Sequence, residues 1–254
     1  MAKQMLIYEN AVPISSERHR DLSVETGKDW SFARELNSVP LLAAEFAPAA
    51  GQHVIVFAGE GDQVFPVIIL GARPGLNAHI GEKGEWLTDY VPAFLRRYPF
   101  VFSSNATPED DKLTLCIDMS FSGVNTDGRG ERLFDSQGER TEYLGRMLTF
   151  SNGFQAQFER TKAMTHRLRE LELLEESRAE FHAGANSEAA QATMGGFMTV
   201  NRDKLRKLPG DVLEELNRTD ALELCHLHLH SLSNLPRMSQ RLEAAFAAEE
   251  QTTH

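Results

Sequence analysis

The chain has 254 residues, 41% of them hydrophobic and 25% charged, an ordinary globular composition with enough length to bury a core. Its 26 Lys and Arg stand against 37 Asp and Glu, a net charge of −11; nucleic acid and anionic membranes need a basic field, so both are excluded as general partners. No run approaches the roughly 18 consecutive apolar residues of a spanning helix, and residues 1–11 lack the apolar core and cleavage site of a signal peptide, so neither membrane insertion nor secretion is expected.

From Val39 to Asp118 the apolar residues fall into short runs split by Gly, Pro and acidic pairs: His53–Ala58, Val64–Leu70, Phe100–Phe102 and Leu113–Ile117. Such runs predict strands. Gly59-Glu-Gly-Asp62 joins the first two, and its glycines accept the positive φ of a tight turn, which predicts an antiparallel hairpin. Glu85–Arg97 carries Trp86, Tyr90 and Phe94 at helical spacing and predicts a helix, broken or kinked at Pro92.

The pattern changes after Gly138. Leu144, Met147, Leu148, Phe154, Phe158, Thr165, Leu168 and Leu171 recur at steps of three and four, the mark of amphipathic helix. Ser151-Asn-Gly153 is the point at which it would divide into two, because Gly costs about 1 kcal/mol against Ala in a helix interior. Ala183–Gly196 reads as a mobile connection and Gly196–Val200 as a short strand. Asn201 and Gly210-Asp211 offer helix starts. Leu213, Leu216, Leu222, Cys225, Leu229 and Leu232 form a further helical stripe interrupted at Pro236, and Gln240–Glu250 a last helix. The expected fold is one α+β domain: a largely antiparallel sheet region, 1–138, followed by a helical region, 139–254, packed on it.

The two cysteines, Cys116 and Cys225, are far apart and each lies in an apolar setting, which predicts two buried thiols in a reducing compartment, the cytoplasm. Sequons at Asn105-Ala-Thr107 and Asn217-Arg-Thr219 carry no meaning there. The chain holds no P-loop, G-x-G-x-x-G, G-x-S-x-G, H-E-x-x-H or paired C-x-x-C. Asn125-Thr-Asp127-Gly128 is similar to the middle of a calcium loop, but Gly123 and Phe134 stand where its first and last carboxylates belong, leaving an acidic turn.

Three constellations could carry chemistry. In His226-Leu-His228-Leu-His230, a strand would put all three imidazoles on one face and a helix only His226 and His230; the surrounding helical stripe favours the helix, where two imidazoles need a further ligand from elsewhere to hold a metal and otherwise flank a core. His19-Arg-Asp21 is an H-x-D, and Arg237 follows His226 after ten intervening residues. That spacing is the one by which ferrous 2-oxoglutarate oxygenases place two His, a carboxylate and a cosubstrate Arg. The separation of more than two hundred residues and the helical distal end depart from the barrel of those enzymes. Third, Arg96-Arg97-Tyr98-Pro99-Phe100 joins a predicted helix to a predicted strand. Its guanidinium groups could grip a carboxylate or phosphate, or cap helix carbonyls and pair with surface carboxylates.

A series of landmarks runs along the chain: Ser16 to Leu22, Val39-Pro-Leu41 with Glu45-Phe46, Arg96 to Phe100, Cys116-Ile-Asp118, Leu133-Phe134, Gly138-Glu139 with Thr141-Glu142, Thr161-Lys162, Gly196-Phe197, and His228 to Asn234. Their order and spacing resemble the SapC family over nearly the whole chain. The resemblance implies no catalytic residue. It implies association with surface-layer or uptake genes, and it marks His19, Asp21, Arg96, Arg97, Asp118, His228 and Asn234 as family-like. Two readings follow. One is a non-catalytic binding or accessory protein for a protein partner or a small acidic ligand, with Arg96, Arg97, Asp118 and Asn234 as candidate contacts. The other is a metal-dependent oxidative enzyme holding non-haem iron through His19, Asp21 and His226 or His228, with Arg237 or Arg97 for an acidic cosubstrate.

Overall fold

The computed structural model describes residues 7–104, 113–182 and 191–252; the Asn105 sequon and residues 183–190 of the expected connection lie outside them. In chain order the elements are β1 (Ala11–Pro13), α1 (Ser16–His19), β2 (Ser23–Val24), β3 (Ser38–Pro40), α2 (Phe46–Ala50), β4 (Ile55–Ala58), β5 (Phe65–Ile69), α3 (Ala93–Arg96), β6 (Phe100–Ser104) and β7 (Leu113–Asp118). There follow β8 (Val124–Asn125), β9 (Glu131–Arg132), α4 (Glu142–Glu170), β10 (Leu174–His182), β11 (Gln191–Val200), α5 (Arg202–Arg206), α6 (Gly210–Arg218), α7 (Ala221–Ser231) and α8 (Leu235–Thr252). The fold is α+β, as the sequence predicts, and every named strand pair is antiparallel.

The chain packs as two units: Met1–Phe32 with Ala93–Ala156, and Ala33–Pro92 with Gln157–His254. The lobes read from the sequence, 1–138 and 139–254, are contiguous; these units are not, because β11, from the C-terminal half, pairs with β4 from the N-terminal half.

In the first unit the sheet order is β1-β7-β6, with a second small sheet β8-β2-β9. Leu22, Tyr98, Phe100, Ile117, Leu133 and Leu144 form its core, and Phe32 stacks on Tyr98 at 4.5 Å between ring centroids. The calcium-like segment is a turn: Asn125 Oδ1 accepts from the N–H groups of Asp127 and Arg129, and its amide donates to the Gly123 and Arg129 carbonyls.

The second unit is built on a five-stranded sheet, β10-β11-β4-β5-β3. β5 is buried along its whole length and β4 over its first three residues, which is why both read as continuous apolar runs rather than alternating ones. The expected hairpin between them is present, with Gly59 and Gly61 at φ 113° and 49°. Met238 and Leu242 of α8 pack against Val54, Val56, Val67, Ile69 and Phe197, and burying side chains of this size stabilises by about 1.5–3 kcal/mol each.

Four local readings are corrected. In Glu85–Arg97 only Ala93–Arg96 is helical; Pro92 restricts the residue before it to extended backbone, and the Trp86 indole N–H donates to the Tyr90 carbonyl at 2.9 Å, closing a loop. α4 is a single helix through Ser151-Asn-Gly153. A methyl at Gly153 would meet nothing within 4 Å, so the glycine there serves no close approach, and packing of the flanking Leu144, Phe154 and Leu168 outweighs its cost. From Gln191 the expected connection is strand: β10 and β11 form the longest hairpin described, held by backbone pairing that a polar sequence does not advertise. Pro236 lies in the first turn of α8, where a missing N–H is harmless, so that helix starts five residues before Gln240. Asn201 does cap α5, accepting from the Lys204 N–H at 2.8 Å.

Candidate functional site

Several of the polar residues singled out from the sequence hold backbone in the interior. Asp118, at the end of β7, is fully buried. Its carboxylate accepts from the N–H groups of Glu9 (2.8 Å), Asn10 (3.0 Å) and Ser120 (2.9 Å), and Tyr98 Oη lies 3.4 Å away. Burial first, then this carboxylate, pushes the Tyr98 phenol upward. Asp118→Asn turns one acceptor oxygen into a donor facing a backbone N–H, and is expected to cost about 2 kcal/mol in urea unfolding. Asn234 is buried too, its Nδ2 lying 2.8, 3.0 and 3.1 Å from the carbonyl oxygens of Ala50, His53 and Ser231.

His228 is the most telling. It is fully buried on α7, while His226 and His230 face outward. Its Nδ1 lies 2.9 Å from the Ile55 carbonyl and its Nε2 accepts the Val200 N–H at 3.0 Å; a carbonyl can only accept, so the proton is on Nδ1. β11 pairs with β4 at Phe197↔Ala58 and Met198↔Phe57, and this register, continued, sets Val200 opposite Ile55. The imidazole therefore bridges the two strands where their direct ladder has ended. Ser231 Oγ completes the join by accepting the Ile55 N–H at 3.1 Å. Burial lowers the His228 pKa to about 4, with the Ile55 hydrogen bond opposing.

Arg96 and Arg97 do not form one clamp. Arg97 follows the last residue of α3 in a turn, its N–H still donating to the Ala93 carbonyl at 3.0 Å, and successive side chains in such a turn diverge by about 100°: Arg96 is exposed over the Phe150 ring at 5.5 Å. Arg97 is 3% exposed, its guanidinium 4.2, 5.1 and 5.6 Å from the ring centroids of Phe154, Phe94 and Tyr8. Desolvation lowers the Arg97 pKa, opposed by Tyr8.

The metal candidates are divided between the units. In the first, His19 is buried with Nδ1 accepting the Ser15 N–H at 3.0 Å, and Asp21 is exposed, 3.5 Å from Arg132. In the second are His226 and His228, and Arg237, which donates to the Gly51 carbonyl at 3.3 Å. Among the described residues, no three His, Cys, Asp or Glu side chains are grouped to hold one ion. Both cysteines are free and buried, and burial pushes the Cys225 thiol up to about 12.

Two features of the second unit escape sequence reading. His53 and His79 are each 1% exposed, with ring centroids 5.1 Å apart. His53 Nε2 lies 3.0 Å from the Tyr90 carbonyl while its Nδ1 has no hydrogen-bond partner among the described residues; His79 Nε2 lies 3.2 Å from Arg241 Nη1. Burial is the main cause that lowers both, His53 to about 4 and His79 well below its ordinary value. No spacing in the sequence relates these two residues.

The other is a cleft of about 710 Å³ between the β4–β5 turn and the β10–β11 hairpin, with a smaller space of about 240 Å³ beside it. Lys162, His166 and Arg169 line the smaller one; their spacing, i, i+4 and i+7 on one helix face, was a signal the sequence did contain.

Among the described residues no helix is long and apolar enough to cross a membrane. No curated protein and no solved structure matches the chain. The sequence profile of the SapC family matches residues 14–238, nearly the whole length, and the chain belongs to that family.

Proposed function

We propose that the protein is a non-catalytic binding or accessory component that works in the cytoplasm beside a bacterial surface or nutrient-uptake system, as the gene neighbourhoods implied by the SapC resemblance suggest. One observation supports this reading above others: the Asp118 carboxylate, the Asn234 Nδ2 and both His228 ring nitrogens, at polar positions that carry the resemblance, are hydrogen-bonded to backbone. Coordination of iron by His228 would require it to release Val200 or Ile55 and leave a buried backbone group unpaired, at a cost of about 1–3 kcal/mol. Residues employed in this way are scaffold, and the cleft of the second unit is a place open to a ligand.

The test is elemental analysis with native mass spectrometry on tag-free protein purified anaerobically without chelator. The expected result is substoichiometric iron and zinc, with a small acidic molecule or a protein partner retained in stoichiometric amount. Near-stoichiometric iron or zinc, lost in His226→Ala, would overturn the reading; His226 is exposed, so that variant folds.

A further inference from the structure

The large cleft and the small space share two lining residues, Val64 and Arg169. Arg169 Nη1 lies 3.1 Å from Asp62 Oδ1, and Asp62 stands on the short turn Gly61–Gln63. This ion pair is the partition between the two spaces. The Asp62 side chain is 81% exposed and that of Arg169 31%, so the partition is held by a weak, solvent-screened contact.

Around it the charges are uneven. In the small space Lys162, His166 and Arg169 meet a single carboxylate, Asp62, among the described lining residues. Lys162 makes no ion pair among the described residues, and His166 Nδ1 lies 3.5 Å from Glu170. In the large cleft Arg178 is offset by Glu60 and Glu176; Val64 and Met198 are its apolar side chains, while the neighbouring Phe197 packs in the core with α8. The cleft opens where β4 ends: Gly195 and Gly196 face the single residue Arg178 in a bulge of the hairpin. A methyl at Gly196, φ 77°, would meet nothing within 4 Å. A volume of about 710 Å³ suits a small-molecule ligand, since such sites run to roughly 300–1,000 Å³.

We propose that this cleft binds a small ligand whose anionic group, a carboxylate or phosphate, displaces Asp62 from Arg169 and pairs with Arg169 and Lys162. Its apolar body then lies over Val64 and Met198. Asp62 is a built-in substitute for the ligand's charge, and its departure joins the two spaces. In a chain of net charge −11 the long-range field repels anions, so binding depends on these local cations and tolerates no generic site. The proposal rests on the binding-protein reading and gives that ligand its chemical class.

The experiment is an amide NMR titration of the labelled full chain with hexanoate, hexyl phosphate and hexylamine. One or both anionic probes are expected to saturate, shifting Gly61, Val64, Arg169 and Gly196, while hexylamine leaves them unmoved; which anion binds identifies the headgroup. Asp62→Asn should tighten binding about threefold, equivalent to ~0.7 kcal/mol, and Arg169→Gln or Lys162→Gln should weaken it about tenfold. Equal binding of hexylamine, no saturable shift with either anion, or an Asp62→Asn variant that binds no better overturns the proposal. These side chains lie at the surface, and unchanged thermal melting separates lost binding from lost folding. Failure here in a metal-free protein leaves the accessory reading standing; stoichiometric iron would overturn that reading whatever the probes do.

Discussion

Replacing His228 by Ala is expected to destabilise the protein by about 4 kcal/mol, enough to unfold many natural domains at physiological temperature. Two contributions add. The Ile55 carbonyl and the Val200 N–H each lose a buried partner, at about 1–3 kcal/mol apiece. The ring, 5.2 Å from Phe57 between centroids, leaves a cavity that the sheet closes only in part. Urea unfolding of the variant measures this directly, and hydrogen exchange should show the β4–β11 junction opening first. His226→Ala and His230→Ala, on the outer side of the same helix, should stay within about 0.5 kcal/mol of the parent. A His228→Ala variant as stable as these would mean that the imidazole is not the join between the strands.

The second large effect is a loss of stability in mild acid. His53 and His228 are buried and neutral, with folded pKa values of about 4 against an ordinary 6.5. Between those values the unfolded chain binds more protons than the folded one, so stability falls as pH falls. The contribution is fully present above pH 6.5 and gone near pH 4, about 3 kcal/mol for each of the two. His79 is lowered as well and acts in the same direction. Acid reduces the net charge of −11 and so relieves self-repulsion, which offsets a small part of the loss. Urea midpoints at pH 7.5, 6, 5 and 4.5 should therefore decline steadily. His53→Gln should reduce the slope by up to about 1.4 kcal/mol per pH unit. A flat or rising profile across this range would show that these histidines are hydrated in the folded state.

Buried titratable groups and the cleft have different consequences. Charging His53 brings a proton to an Nδ1 with no acceptor among the described residues, near His79 and the half-buried Arg241, so the interior resists it. At the Asp62–Arg169 partition solvent screens each charge, and one anion can replace another with little change in folding stability.

The amino-acid sequence by itself determined the α+β class, the strand runs at 53–58, 64–70, 100–102 and 113–117, which the structure trims or extends by one or two residues, the glycine turn between β4 and β5, and the family. These are local matters: turn residues, apolar runs and helical spacing act within a few residues of one another. It also favoured His226 and His230 sharing one helix face, because the surrounding stripe of Leu222, Cys225, Leu229 and Leu232 has helical rather than strand spacing. Only the tertiary structure decided that Gly153 lies inside an unbroken helix, since packing along the helix outweighs a local propensity of about 1 kcal/mol. It alone paired the polar hairpin β10–β11 with β4, through backbone groups that every sequence carries alike. Asp118, Asn234 and His228 had their hydrogen-bond partners decided there too. Their type and order were visible in the chain, but whether a polar side chain meets a ligand or a backbone group depends on which strand ends lie opposite it. For His228 those ends come from Ile55 and Val200, 173 and 28 residues away.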